Sequence, residues 1–360
     1  MPDSTIILTT FRRPDLLRRA IRSILGQTQT DFRLSIYDNG SGDSTGDMVR
    51  EFQRTDPRIE LFQRPENIAP YDNVSDAIAR LETPFFTICG DDDFLFPCHL
   101  ATLEPVLAAD PDLAYAFGSF LYVSLEGEIS NLCPGDWPGG RAEAGTAALN
   151  TIRHGHVAWQ AALFRTDLVR RAGGGPTKSV GLIGDVDFLL KLGSLYPVHA
   201  CAEIVAVHSC HPGQGGASYG LGESSGLATM YRRLAALPCV DRAERRLFLE
   251  ILRHWLVQFL CSLTLSSPQP PAASSLTRAA WHLLTGLRSG GACVRFLDAA
   301  LRSFFASPAA LDPIRRQAEI EAGWLAGRGV GHVRPPEAAS AAVGETRRLA
   351  EPWDRGLRNL

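Results

Sequence analysis

No Gly-x-Gly-x-x-Gly follows the first strand-like run of this chain. The loop there reads Thr10-Phe11-Arg12-Arg13-Pro14-Asp15, which argues against a dinucleotide-dependent oxidoreductase. Cys-x-x-Cys is missing too. The eight cysteines are scattered, as expected for reduced, mostly buried thiols of a cytoplasmic protein and not for a disulfide framework. His199, Cys201, His208, Cys210 and His211 crowd together as zinc ligands do. Alternate spacing along a strand explains them equally well by packing, and no recognised zinc spacing is present. Neither charge sign dominates: 36 basic against 39 acidic residues give a net charge of −3, which removes the general electrostatic case for nucleic acid or an acidic membrane. A long uncharged apolar run is lacking. The longest apolar-looking stretch, 247–265, contains Glu250, Arg253, His254 and Gln258 and reads as a buried helix, not a membrane span. The start of the chain has no basic segment leading into an apolar one, so secretion is not expected. No internal repeat is visible.

What is present is enough apolar material, 45% of 360 residues, for a large α/β domain plus a second unit. Residues 5–10 form a β-branched run. Pro14 then suits a first helical position, with Leu17, Ile21, Ile24 and Leu25 on one face. Phe32, Leu34 and Ile36 alternate in a second strand ending at Asp38-Asn39-Gly40, followed by Ser41-Gly42-Asp43-Ser44 as turn and helix cap. Met48, Val49 and Phe52 mark a second helix, 59–62 a third strand, and Val74, Ala77, Ile78 and Leu81 a third helix. Strands alternating with helices predict a mostly parallel sheet covered on both faces. Ligands of such sheets lie beyond the carboxyl ends of the strands, so residues 9–12, 38–39 and 90–93 should converge on one crevice.

The fourth strand, 85–89, stops at Gly90 and is followed by Asp91, Asp92 and Asp93. Three ionised carboxylates beside an apolar strand repel one another unless a cation or solvent offsets them. Mg²⁺ or Mn²⁺, held by one or two carboxylates together with substrate phosphates, fits that need. The alternative is an acidic turn with Asp93 capping the next helix.

The segments Thr9-Thr10-Phe11-Arg12-Arg13-Pro14, Gln27-Thr28, Asp38-Asn39-Gly40-Ser41, Asn67-Ile68 and Gly90-Asp91-Asp92-Asp93 with Pro97 occur in an order and spacing that resembles the family 2 glycosyltransferases of the GT-A fold, over roughly residues 5–215. The resemblance implies an α/β fold of Rossmann-like, mixed and mostly parallel sheet with helices on both faces. It implies that Thr9 and Asp38 contact the base or ribose of a nucleoside-diphosphate sugar, with Phe11, Arg12 and Asn67 of the same motifs as further donor contacts. Asp91, Asp92 and Asp93 are implied to contact ribose and metal, with Asp93 preferred for the ion and Asp92 beside it. Ordinary readings remain open for Thr9, as a strand-end hydrogen bonder, and for Asp38, as a turn former. Gly90 stands where many relatives have the first Asp.

Further along, 100–108 reads as a helix, 113–123 as a strand, and 126–141 as a Gly- and Pro-rich loop containing Trp137. Trp137 is either part of an ordinary connection or a ring for an acceptor sugar to pack on, whereas Trp159 is read as core. Residues 161–164 suggest a strand and 165–172 a short helix before a glycine turn. Gly184-Asp185-Val186-Asp187 resembles the family's Glu-Asp motif, whose Asp is the catalytic base; Asp185 takes that position and Gly184 replaces the Glu. Asp185 and Asp187 lie about 200° apart on a helix, so only one can face a cleft, and Asp185 can equally cap the helix. Residues 198–209 read as a last strand. Cys210-His211-Pro212-Gly213 resembles a family segment near the diphosphate, making His211 a third metal ligand, a diphosphate contact or a turn histidine.

Three regions are expected: 1–225 as the GT-A domain, 226–328 as an α-helical C-terminal region, and 329–360 as a loosely ordered tail. The Gly/Ser-rich 213–226 reads as lid or linker. The resemblance implies an inverting transferase using Mg²⁺ or Mn²⁺ and a UDP- or dTDP-sugar, with a small-molecule, glycan or lipid-linked acceptor. Processive members of the family it resembles carry a Gln-x-x-Arg-Trp segment and membrane helices; as neither is read in this sequence, the resemblance implies one sugar per event. The C-terminal helices are open to three roles: acceptor site, homo-oligomer contact, or a dock on the inner membrane face. A nucleotidyltransferase and a non-catalytic sugar-nucleotide or carbohydrate-binding protein are the rival readings.

Overall fold

The computed structural model describes residues 2–133, 137–155, 157–176 and 184–211. They divide between two compact units. Residues up to 176 and 191–211 belong to the first, and 184–190 to the second. The lid or linker and the C-terminal regions expected above lie outside the described residues.

The first unit opens with β1 (Ser4–Thr10), in which Ile6, Ile7 and Leu8 are all fully buried. A strand covered on both faces needs a continuous apolar run instead of alternation. α1 (Pro14–Leu25) starts with Pro14 at its first position and buries Leu17, Ile21 and Ile24. β2 (Phe32–Asp38), α2 (Thr45–Gln53), β3 (Ile59–Gln63), α3 (Pro70–Ala79) and β4 (Phe85–Gly90) follow as the periodicity predicts. β1 pairs in parallel with both β2 and β4, and β2 with β3.

Beyond β4 the sheet departs from the parallel pattern. β5 (Phe94–Leu95) and α4 (His99–Ala109) lead into β6 (Tyr115–Ser124). The stretch expected to be a loop, 126–141, instead contains β7 (Ile129–Cys133), antiparallel to β6, and the start of β8 (Gly140–Ala142). Glycine and proline mark the turns flanking these strands, and the strands themselves are too short to give a period. A helix without a prior signal, α5 (Thr146–His154), comes next. A 3₁₀ turn, Trp159–Ala161, then delivers β9 (Ala162–Arg165) and α6 (Thr166–Arg171). β10 (Val198–Cys210) runs parallel to β6 and antiparallel to β5 and β8. The sheet order is β3-β2-β1-β4-β9-β6-β10-β5, so antiparallel β9 joins the parallel β1–β4 half to a parallel β6–β10 pair. α7 (Gly184–Leu195) begins in the second unit. Among the described residues no helix is long and apolar enough to cross a membrane.

Gly118 of β6 explains how β10 closes on its neighbour. A Cβ there would lie 2.5 Å from the Glu203 carbonyl carbon's oxygen and 2.7 Å from a Val205 methyl, beside the two register shifts of the β6–β10 ladder. Gly118→Ala is therefore expected to cost about 1–3 kcal/mol by overpacking, measured as a lower urea midpoint.

Candidate active site

The carboxyl ends of three strands meet as expected. Thr10 is level with Asp38 across β1–β2, and Thr9 is level with Gly90 across β1–β4. The Gln27-Thr28 motif braces this edge from below. Gln27 Nε2 donates to the Phe96 carbonyl, its Oε1 accepts from the Leu100 amide, and Thr28 donates to the Pro97 carbonyl. The segment carrying the acidic triplet is thereby clamped onto the end of α1.

Asp38 is 2% exposed. Its Oδ1 accepts from the Ser41 amide at 3.0 Å and its Oδ2 from Gln63 Nε2 at 3.1 Å. Both oxygens thus build the loop after β2. Asn39 exchanges two hydrogen bonds with the backbone of Ile68, which holds the exposed Asn67 near that loop. Between them Gly40 has φ +77°, and a Cβ on it would lie 2.5 Å from the Glu66 carbonyl carbon, so the turn accepts only glycine. Arg12 adopts φ +55°, a conformation costly for a side chain of its size. Ser41 holds it there, with the Arg12 amide donating to Ser41 Oγ at 2.8 Å and Arg12 Nε to the Ser41 carbonyl at 3.0 Å.

The three aspartates have separate surroundings. Asp91 is 5% exposed. Its Oδ2 accepts from Thr10 Oγ1 at 2.7 Å and from the Phe11 amide at 3.3 Å, and Arg13 Nη1 lies 3.3 Å from its Oδ1. Burial, then the Asp92 charge, pushes its pKa up to about 6 against the opposing pull of Thr10 and Arg13. Asp92 Oδ2 lies 2.9 Å from Arg13 Nη1 and 3.0 Å from His211 Nε2. Gly90 makes room for it, since a Cβ there would stand 2.8 Å from Asp92 Oδ1. Asp93 turns inward instead of capping α4. Its Oδ1 accepts from the Ser209 amide at 2.9 Å, with His208 Nδ1 at 3.6 Å, and burial raises its pKa. His208 is in turn held by Gln160 at 3.0 Å and by the ring of Tyr122, and burial lowers its pKa.

Among the described residues no group of three or more His, Cys, Asp or Glu side chains is gathered to hold a metal. Asp92 Oδ2 and His211 Nε2 nonetheless lie side by side at 3.0 Å, a carboxylate oxygen and an imidazole nitrogen that would both be available to a cation. Two protein ligands plus substrate phosphates is a usual set for such a cation, so the residues present fit the group.

A proton sits more firmly on Asp91 in the folded chain than in the unfolded one, because the folded pKa is raised. The metal-free fold should therefore lose stability as pH rises from about 4 through about 6. Asp91→Asn is expected to flatten that slope in melting temperatures taken between pH 4.5 and 7.5.

Asp185 and Asp187 stand in the first turn of α7. Asp187 is 6% exposed, whereas Asp185 is partly exposed and accepts from the Val186 amide at 2.8 Å. Trp137 is half-buried: its Nε1 donates to the Gly155 carbonyl and its ring meets Phe117 edge-on. Trp159 is half-buried against Tyr71.

Thr10, Arg13, Gln160 and Ser209 take no individual role from the sequence, and His208 enters it only among possible zinc ligands. Two carry a recognisable signal. Thr10 alternates with Thr9 and its side chain is the one that reaches Asp91, and Arg13 adjoins the proline that opens α1.

Residues 5–169 match the family model described as glycosyl transferase family 2. A Campylobacter jejuni GalNAc(5)-diNAcBac-PP-undecaprenol beta-1,3-glucosyltransferase is 33% identical over 131 residues, which is 36% of this chain and 41% of that protein. The chain thus spans under half the length of that relative. Among solved structures, S. aureus TarS in complex with UDP-GlcNAc is 14% identical with a TM-score of 0.60, covering 89% of this chain and 91% of that one. A mannosyltransferase from Pyrobaculum calidifontis in complex with GDP-Man and Mn²⁺ is 16% identical with a TM-score of 0.50, covering 88% and 87%. These likenesses, with the sheet order above, give the GT-A fold. Residues 5–169 of this chain are similar to glycosyl transferase family 2.

Proposed function

We propose that the chain transfers one sugar from a nucleoside-diphosphate sugar to an acceptor hydroxyl, with inversion and with Mg²⁺ or Mn²⁺. The observation that carries this reading is the pairing of Asp92 with His211 at 3.0 Å, at the carboxyl end of β4 in a domain similar to glycosyl transferase family 2. Structural neighbours solved with UDP-GlcNAc and with GDP-Man and Mn²⁺ support a nucleotide-sugar donor.

In this reading Asp92 and His211 hold the dication, and the bound ion supplies neutralisation of the charge growing on the departing diphosphate. Asp93, anchored to Ser209, fixes the acidic turn against β10 and leaves Asp92 to face outward. Thr9, Phe11, Arg12 and Asn67 are proposed as donor contacts on the rim. Asp38, buried with both oxygens engaged, would serve the base or ribose chiefly by shaping the loop that Ser41 and Arg12 share. Asp185 accepts the proton of the acceptor hydroxyl as its oxygen bonds to the anomeric carbon. The carbon–oxygen bond to the diphosphate breaks on the opposite face, and its electron pair leaves with the diphosphate.

A panel of UDP-, dTDP- and GDP-sugars tested for Mn²⁺-dependent thermal stabilisation, followed by product analysis, tests the proposal. At least one donor should raise the melting temperature only with metal, and turnover should release nucleoside diphosphate. Release of pyrophosphate, or stabilisation without any donor cleavage, would overturn it in favour of a nucleotidyltransferase or a binding protein.

A further inference from the structure

We infer that Arg13 serves two states of the site: without donor its guanidinium compensates Asp91 and Asp92, and on donor binding it releases Asp92 and takes the diphosphate. The inference rests on the function proposed above. Arg13 Nη1 lies 3.3 Å from Asp91 Oδ1 and 2.9 Å from Asp92 Oδ2, and that same Asp92 oxygen is the one 3.0 Å from His211 Nε2. A dication shared by Asp92 and His211 and the guanidinium of Arg13 therefore compete for one oxygen atom.

Charge and mobility favour exchange over coexistence. Arg13 is the residue preceding the first turn of α1, where the positive end of the helix dipole disfavours a cation. The neighbouring carboxylates offset that position, and a dication on Asp92 removes much of their attraction. The Arg13 side chain is 32% exposed, against 7% for Asp91 and 16% for Asp92. The guanidinium can turn outward while the carboxylates stay in place. The anion that arrives with the dication is a diphosphate, whose oxygens suit the planar fork of arginine. The adjacent Arg12 is tied at its amide and its Nε to Ser41, so the exchange falls to Arg13.

The test uses the full chain and two variants. Mn²⁺ binding is followed by the electron paramagnetic resonance of free MnCl₂ without nucleotide. UDP, dTDP and GDP are then titrated calorimetrically at saturating MnCl₂. In Arg13→Gln, Mn²⁺ affinity should rise severalfold because the competitor is gone, and affinity for the preferred nucleotide should fall about 10- to 100-fold, the size of a lost charge-assisted contact. Arg13→Lys should keep the wild-type Mn²⁺ affinity and lose part of the nucleotide affinity. Unchanged or weaker Mn²⁺ binding in Arg13→Gln, or unchanged nucleotide affinity, overturns the inference. If Arg13→Gln does not fold, Arg13→Lys decides alone, and unchanged nucleotide affinity in it overturns the inference. A wild-type chain that binds neither MnCl₂ nor any nucleotide overturns the proposed function itself, a distinguishable result.

Discussion

Asp185→Asn should lower turnover by about 10²–10⁴-fold, the range for loss of a general base, while donor affinity stays within about twofold of wild type. The asparagine keeps the size of the side chain and an oxygen that accepts from the Val186 amide, the contact Asp185 makes at 2.8 Å. Helix α7 therefore starts as before, and what disappears is the capacity to take a proton. Burial separates the two acids of this turn. Asp187 is 6% exposed and belongs to the packing of its helix, so Asp187→Asn should act through stability and leave the turnover of the folded fraction nearly intact. Single-turnover measurements with the preferred donor, alongside calorimetric donor binding, separate the two. Near-normal turnover in Asp185→Asn would remove the base assignment.

The first half of the fold, through β4, was legible because its signals are local. Strands such as Ile6-Ile7-Leu8 announce themselves by continuous apolar character, and Pro14 marks a helix start that needs no tertiary information. The second half was less legible. β9 lies between β4 and β6, a placement set by pairing between residues about eighty positions apart, such as Phe86 with Phe164, and no window of sequence carries it. β7 and β8 were hidden for a related reason, being short strands set among glycines and prolines whose pairing is decided by β6 and β10.

At the site, sequence order located the strand ends but not the direction of each side chain. Thr9 and Thr10 are equivalent in composition, yet alternation along β1 sends Thr10 to Asp91. Arg12 and Arg13 are equivalent in charge, yet the turn before α1 ties the first to Ser41 and points the second at the aspartates. Adjacent identical residues are where a linear reading is weakest, because one dihedral step exchanges their roles.

The acidic triplet is the sharpest such case, and it yields the second large effect. Asp92→Ala should weaken Mn²⁺ binding on the order of 100-fold or more, since even partners that only orient metal ligands cost about 10–100-fold. The metal-dependent stabilisation by donor should vanish with it. The fold should survive, because removing Asp92 also relieves repulsion on Asp91 and Asp93, both of whose pKa values its charge helps to raise. Asp93→Ala should behave in the opposite way. It leaves the buried Ser209 amide without the carboxylate that accepts from it at 2.9 Å, at a cost of about 1–3 kcal/mol, and loosens the join between the acidic turn and β10. Mn²⁺ affinity in the folded Asp93→Ala chain should stay within about tenfold of wild type. Melting curves with and without MnCl₂ on both variants read the two effects independently. If Asp93→Ala abolishes metal binding while Asp92→Ala spares it, the ion is held by the inner carboxylate and the proposed Asp92–His211 pair is wrong.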